Sequence, residues 1–320
     1  MKLKVYSFLL SSMLLIIILD GCNIKKITPK EGFIEVNGGK VWYRIYGGGN
    51  KSPLLALHGG PGSSSYGLEP LKALSQDRPV ILIDQLGCGR STRITDTTLM
   101  TIQHYVEEVE LVRNALHLED FYLFGQSWGT MLGLDYYLKY PKEVKAIIFS
   151  SPLFSTDLWI KDADTLIATL PDSVQHIIRE NEKNKTYGSE AYKNAVKLYY
   201  ENFLWRKQPS KAHADSSKMF FGTNVYEFMW GPSEFTATGN LLNYERIKNL
   251  NEITVPALLM AGEYDEARPG TVKYFQSLIP NSEFMEIKNS GHATLNDNPQ
   301  DVLPTISQFL LKVDSQTSNN

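Results

Sequence analysis

The sequence predicts an α/β fold: a mostly parallel sheet with helices on both faces and a helical cap inserted after the sixth strand. Three observations carry this. Short, wholly apolar runs of buried-strand type alternate with segments of helical periodicity, the pattern of parallel strands joined by helical crossovers. One run, Phe121-Tyr-Leu-Phe124, leads straight into Gly125-x-Ser127-x-Gly129, the signature of a serine on a tight turn from strand to helix. After residue 150 the alternation stops for about a hundred residues that are helical, polar and rich in Trp and Tyr, and it resumes at residue 256.

A chain of 320 residues, 42% hydrophobic and 21% charged, can bury a sizeable core, and its length alone allows one large domain with an insertion or two ordinary domains. The net charge of -3, with both signs scattered, lacks the basic stripe that nucleic acid requires. Two distant cysteines without a paired histidine spacing speak against zinc or iron-sulfur ligation. At the N-terminus Lys2 and Lys4 precede an apolar run, residues 5–19, that ends at Leu19-Asp20-Gly21-Cys22. The run is about 15 residues, short of the roughly 20 that span a bilayer. It resembles the bacterial lipoprotein signal, although Asp20 departs from the usual small or apolar residue. The resemblance implies cleavage of residues 1–21, diacylglycerol on the Cys22 thiol, and a lipid-anchored location in the bacterial cell envelope. Cys88 is then left without a partner for an intramolecular disulfide.

Residues 22–32 read as a tether. Residues 33–36 and 41–46 flank Asn37-Gly-Gly39 and form a hairpin signal. The apolar strand 53–57 runs into His58-Gly59-Gly60-Pro61-Gly62, and strand 80–84 opens onto Gln85-Leu-Gly87-Cys88-Gly89-Arg90-Ser91. Residues 101–117 are helical, with Val106, Val109, Val112 and Leu116 on one face. The serine-bearing strand, a helix over 130–140 and strand 144–150 complete the first part of the core, 33–150. The cap, 151–250, has helix-like stretches at 158–170, 173–183 and 191–205 and a looser segment at 220–240. Strands at 256–260 and 284–287 and a helix at 299–311 make the second part, 251–313, followed by a polar tail, 314–320, expected to fray.

Chemistry falls at the ends of strands, where an open α/β sheet keeps its site. Ser127 follows one strand, Asp265 another, and His292 a third. A lone loop Asp is commonly a turn former and a lone His a satisfied core or surface residue. Their joint placement makes a triad: His292 takes the proton of Ser127, and Asp265 holds the imidazole in the right tautomer and stabilises its charged form. The chain order Ser, Asp, His is that of α/β-hydrolases. The helix after the serine points its free N–H groups at an oxyanion, so the backbone N–H of Trp128, with that of Gly60 opposite, forms an oxyanion hole worth roughly 3 kcal/mol per donor. His58 takes a structural role, since His292 already supplies the base. No metal or cofactor is called for.

The motifs His58-Gly-Gly-Pro-Gly62, Asp84-Gln-Leu-Gly-Cys-Gly-Arg-Ser91, Gly125-Gln-Ser-Trp-Gly129, Gly262-Glu-Tyr-Asp265 and Ser290-Gly-His292 together resemble the proline iminopeptidase family, which includes the tricorn-interacting aminopeptidase. The resemblance covers about residues 33–312 and implies an α/β-hydrolase serine exopeptidase that releases the N-terminal residue, often proline, from short peptides with a free N-terminus. It also implies acids that bind the substrate amine, at Glu234 in Gly231-Pro-Ser-Glu-Phe235 and at Glu266 beside Asp265. A carboxylate facing the α-ammonium explains how internal peptide bonds are refused. The apolar wall for the first side chain is open among Phe154, Trp205, Phe220, Phe221, Phe235 and other cap aromatics. Two other readings keep the fold: an esterase, lactonase or amidase acting without a free amine, and a surface-tethered binding protein without turnover. The matching acids weigh against the first and the intact triad against the second.

Overall fold

The computed structural model describes residues 27–317, so the lipoprotein-type segment, Cys22 and the start of the tether lie outside the described residues. Among those described, eight strands form one sheet: β1 (Lys30–Val36), β2 (Gly39–Tyr46), β3 (Leu54–Leu57), β4 (Val80–Asp84), β5 (Phe121–Gln126), β6 (Val144–Ser150), β7 (Ala257–Gly262) and β8 (Ser282–Ile287). Their spatial order is β1-β2-β4-β3-β5-β6-β7-β8. The β1–β2 and β2–β4 pairs are antiparallel and all others parallel.

The helices are α1 (Ile102–Ala115), α2 (Trp128–Lys139), α3 (Thr156–Ile167), α4 (Asp172–Asn184), α5 (Glu190–Phe203), α6 (Lys211–Phe220), α7 (Thr223–Met229), α8 (Pro269–Ser277), α9 (Thr294–Asp297) and α10 (Pro299–Thr317). The strands β3, β4 and β7 are buried at every residue, which is why they read as continuous apolar runs. Successive side chains still alternate between faces. Leu55 and Leu57 join Ile81, Ile83 and Leu123 in the core under α1, α2 and α8, whereas Leu54 and Ala56 join Val80, Leu82 and Phe124 in the core under α10. The cap, α3 to α7, lies between β6 and β7 as expected and has a small core of its own, including Ile167, Ile178, Tyr199 and Phe235. Among the described residues no helix is long and apolar enough to cross a membrane.

Three expectations need correction. The looser segment 220–240 contains α7, and α6 lies just before it. The first has seven residues and the second buries none of its side chains, so neither shows an apolar stripe to periodicity. The tail does not fray at residue 314: α10 continues to Thr317. Asp314 is held there, accepting the hydroxyl of Tyr122 and, at 2.7 Å, a nitrogen of the buried Arg78 guanidinium. The hairpin also begins earlier than residue 33, since β1 pairs from Lys30 onward.

Candidate active site

Adjacent strands β5, β6, β7 and β8 lead to Ser127, Ser151, Asp265 and His292 in turn; hydrogen bonds join the last three, and Ser127 lines the same cavity as His292. Ser127 sits at φ 54° and ψ -123°, a left-handed backbone that turns the chain sharply from β5 into α2. The flanking glycines are required by contact. A Cβ on Gly125 would lie 2.3 Å from the Gly129 carbonyl oxygen, and one on Gly129 would lie 2.3 Å from that of Leu57. The turn is fixed by the Ser127 N–H donating to Ser150 O at 3.0 Å and the Thr130 N–H donating to Ser127 O at 2.7 Å.

Asp265 has its four acceptor positions filled. Oδ1 accepts from His292 Nδ1 and the Ala267 N–H, each at 2.8 Å; Oδ2 accepts from Ser151 Oγ at 2.6 Å and the Gly262 N–H at 3.0 Å. This saturation fixes the carboxylate and, through it, the tautomer of His292. His292 Nε2 is left buried and without a partner, and both His292 and Ser127 line one cavity of about 750 Å³. Burial works to lower the pKa of His292, but Asp265, Glu266 and Glu234 outweigh it and raise it to about 9.

The side of the site where Gly60 and Trp128 lie is equally ordered. Gly60 lines the same cavity, and Trp128, as the first residue of α2, has no acceptor for its N–H within that helix. A Cβ on Gly59 would lie 2.6 Å from Gln126 Oε1 and 3.1 Å from the Ser127 Cβ, so only glycine lets this loop approach Ser127. The side chain of Gln85 ties the segments of Gly60 and Trp128 together: its Nε2 donates to His58 O at 3.2 Å and its Oε1 accepts from the Trp128 indole at 2.7 Å. His58 has the structural role expected of it. Its Nδ1 donates to Gly59 O at 2.9 Å, its Nε2 accepts from the Gln85 N–H at 3.0 Å, and burial lowers its pKa. The Asp84 carboxylate accepts from Ser65 and Arg90, so the Asp-Gln-x-Gly-x-Gly-x-Ser motif is a clamp on the site's framework.

Glu266 lies beside His292, and Glu234 lines the cavity that His292 and Ser127 share. Glu266 is 1% exposed, both its carboxyl oxygens lack a hydrogen-bond partner, and Oε1 is 3.9 Å from His292 Nδ1. Burial pushes this carboxyl well above the usual range, with Glu234 and Asp265 adding to the rise while His292 and Tyr199 oppose it. Glu234 lines the cavity from the cap, accepts the Tyr226 hydroxyl at 3.0 Å on Oε1, and is likewise raised by burial against His292 and Tyr226. The indole of Trp159 fixes its backbone by donating to Glu234 O at 2.8 Å and packs edge-on to the His292 ring at 5.5 Å. Of the cap aromatics considered, Trp205 and Phe221 line the cavity with Tyr200, Leu204 and Tyr226; Phe154 and Phe235 are core residues. Cys88 is buried, its thiol donating to Gln85 O at 3.1 Å. Among the described residues no group of three His, Cys, Asp or Glu side chains is placed to hold a metal ion.

Sequence reading gave no role to Gln85 and missed Ser151, Tyr226, Trp159 and Asp297. The last accepts from the N–H groups of Gly291, Arg206 and Lys207 at 2.9, 2.8 and 2.8 Å, joining the end of the α5 segment to the histidine loop. His292 N–H donates to Phe203 O at 2.9 Å across the same junction.

The alpha/beta hydrolase fold model matches residues 52–299. The chain is 44% identical over 285 residues to a proline iminopeptidase of Heyndrickxia coagulans, covering 88% of this chain and 98% of that one. The crystal structure of a Mycobacterium smegmatis proline iminopeptidase superposes with a TM-score of 0.83 at 29% identity, over 90% of this chain and all of the other. The crystal structure of VinJ does so with a TM-score of 0.85 at 30% identity, over 89% of this chain and all of the other.

Proposed function

Since the chain belongs to the proline iminopeptidase family of α/β-hydrolases, we propose that it is a serine aminopeptidase that releases N-terminal proline from short peptides. The observation that carries this reading is Glu266: a carboxyl 1% exposed, with neither oxygen partnered, beside the catalytic histidine. Such a group is costly in an empty site and calls for a cationic partner brought by the substrate. An N-terminal proline is a secondary ammonium with two N–H donors, and Glu234 and Glu266 supply two carboxyls to receive them.

With the amine so held, Ser127 Oγ attacks the first carbonyl and gives its proton to His292 Nε2. The Gly60 and Trp128 N–H groups take the oxyanion. His292 then passes the proton to the leaving amine, a prolyl-enzyme remains, and water hydrolyses it by the same path in reverse order. The test is a pair of substrates, a prolyl arylamide with a free amine and its N-acetyl form. Cleavage of the free compound alone is expected; equal cleavage of both would return an esterase or amidase reading to first place.

We further propose that the protein is held in the bacterial cell envelope by lipid on Cys22, on the strength of the Leu19-Asp-Gly-Cys22 signal. A single acyl chain anchors weakly and two or more anchor firmly, so the diacylated protein should pellet with membranes. Palmitate labelling should disappear in Cys22→Ser. Labelling that survives the substitution, or wild-type protein found wholly in the soluble fraction, would end this proposal.

A further inference from the structure

The base of the site is surrounded by acids. Asp265 Oδ1 lies 2.8 Å from His292 Nδ1 and Glu266 Oε1 lies 3.9 Å from the same nitrogen, both on the loop after β7. Glu234, on the cap, lines the same cavity as His292, and its charge helps to raise the imidazole's pKa. The remaining titratable neighbours of the two glutamates are the hydroxyls of Tyr199, Tyr200 and Tyr226, all held neutral because burial pushes them well above their ordinary range. Trp159 packs edge-on to the ring at 5.5 Å. Among the described residues no lysine or arginine pairs with Glu234 or Glu266. In the free enzyme, therefore, the cation available to these buried acids is the proton of the imidazole, which lies between Asp265 at 2.8 Å and Glu266 at 3.9 Å.

We propose that the substrate's ammonium, on taking its place against Glu234 and Glu266, expels a proton from the His292–Glu266 pair into solvent, so that the base becomes neutral only when a free amine is bound. This rests on the aminopeptidase reading. One cation enters and one leaves, so the buried cluster keeps its charge. A neutral ester brings no replacement, and His292 then keeps its proton and cannot accept that of Ser127. The high titration point of His292 agrees with this arrangement. The acids would thus do two things at once: bind the amine, and switch on the catalytic base for substrates that possess one.

The experiment measures kcat and kcat/KM against pH for a prolyl arylamide and for p-nitrophenyl acetate. The acid limb of kcat/KM reports the free enzyme, and that of kcat reports the substrate complex. For the arylamide the kcat limb should lie at least about one pH unit below the kcat/KM limb, an interval that corresponds to tenfold in the neutral fraction of the base. For the ester the two limbs should coincide at high pH. In Glu266→Gln the ester limb should move down and hydrolysis at pH 7 should rise about tenfold for each unit moved, while arylamide cleavage falls. Coincident limbs for the arylamide in the wild type, which needs no variant to fold, would overturn the proposal while leaving the aminopeptidase reading in place. An unmoved ester limb in folded Glu266→Gln would do the same. No arylamide cleavage at any pH would overturn both.

Discussion

Ser127→Ala should lower kcat for a prolyl arylamide by about 10⁴- to 10⁶-fold and abolish labelling by a fluorophosphonate, with little change in thermal stability. The nucleophile is removed outright, and the hydroxyl of Ser151 cannot replace it: Ser151 Oγ is engaged with Asp265 Oδ2 at 2.6 Å, behind the histidine. The fold should survive because the turn is held by main-chain hydrogen bonds, from Ser127 N to Ser150 O and from Thr130 N to Ser127 O. Alanine retains both. It also keeps the Cβ that the φ of 54° already accommodates. The residual rate would come from the oxyanion donors and from substrate binding, which still act on attack by water. Hydrolysis undiminished in this variant, with the protein folded by circular dichroism, would sink the assignment of the nucleophile.

The parts of this site that were legible in the sequence are those whose demands are local. The elbow glycines announce themselves because a Cβ at either would strike backbone within the same few residues or on the adjacent strand, and the apolar runs announce β3 to β7 because burial on both faces leaves no room for polar alternation. Asp265 and His292 became readable only relative to Ser127, through their order and their places after strands. The supporting residues were silent for a physical reason. Ser151 reaches Asp265 across 114 positions, Gln85 reaches Trp128 across 43, and Asp297 reaches the α5 segment across 91 and 90. A serine, a glutamine and an aspartate of this kind look like any other loop residue until the sheet brings their partners alongside. Glu234 and Glu266 lie between these cases. Their roles were implied by resemblance to a family, and it is their burial without a lysine or arginine partner among the described residues that gives the implication a physical basis.

Glu234→Gln should therefore separate amine recognition from the chemistry of acyl transfer. The substitution keeps size and the acceptor that Tyr226 uses on Oε1 at 3.0 Å, and it leaves the backbone contacts with Tyr200 and Trp159 unchanged. What it deletes is one negative charge proposed to receive the ammonium. A charge-assisted hydrogen bond of this kind is worth roughly 1.5 to 3 kcal/mol, so kcat/KM for a prolyl arylamide should fall about ten- to a hundredfold relative to kcat/KM for p-nitrophenyl acetate. The ratio is the decisive quantity, because the acid also acts on His292 and the ester rate alone can rise. Glu234 is a cleaner probe than Glu266, which adjoins Asp265 in the chain and touches the imidazole at 3.9 Å. Equal losses on the two substrates would show Glu234 to be a structural residue of the cap. An unchanged ratio with full prolyl activity would remove it from the amine site and leave Glu266 alone to account for the preference for a free N-terminus.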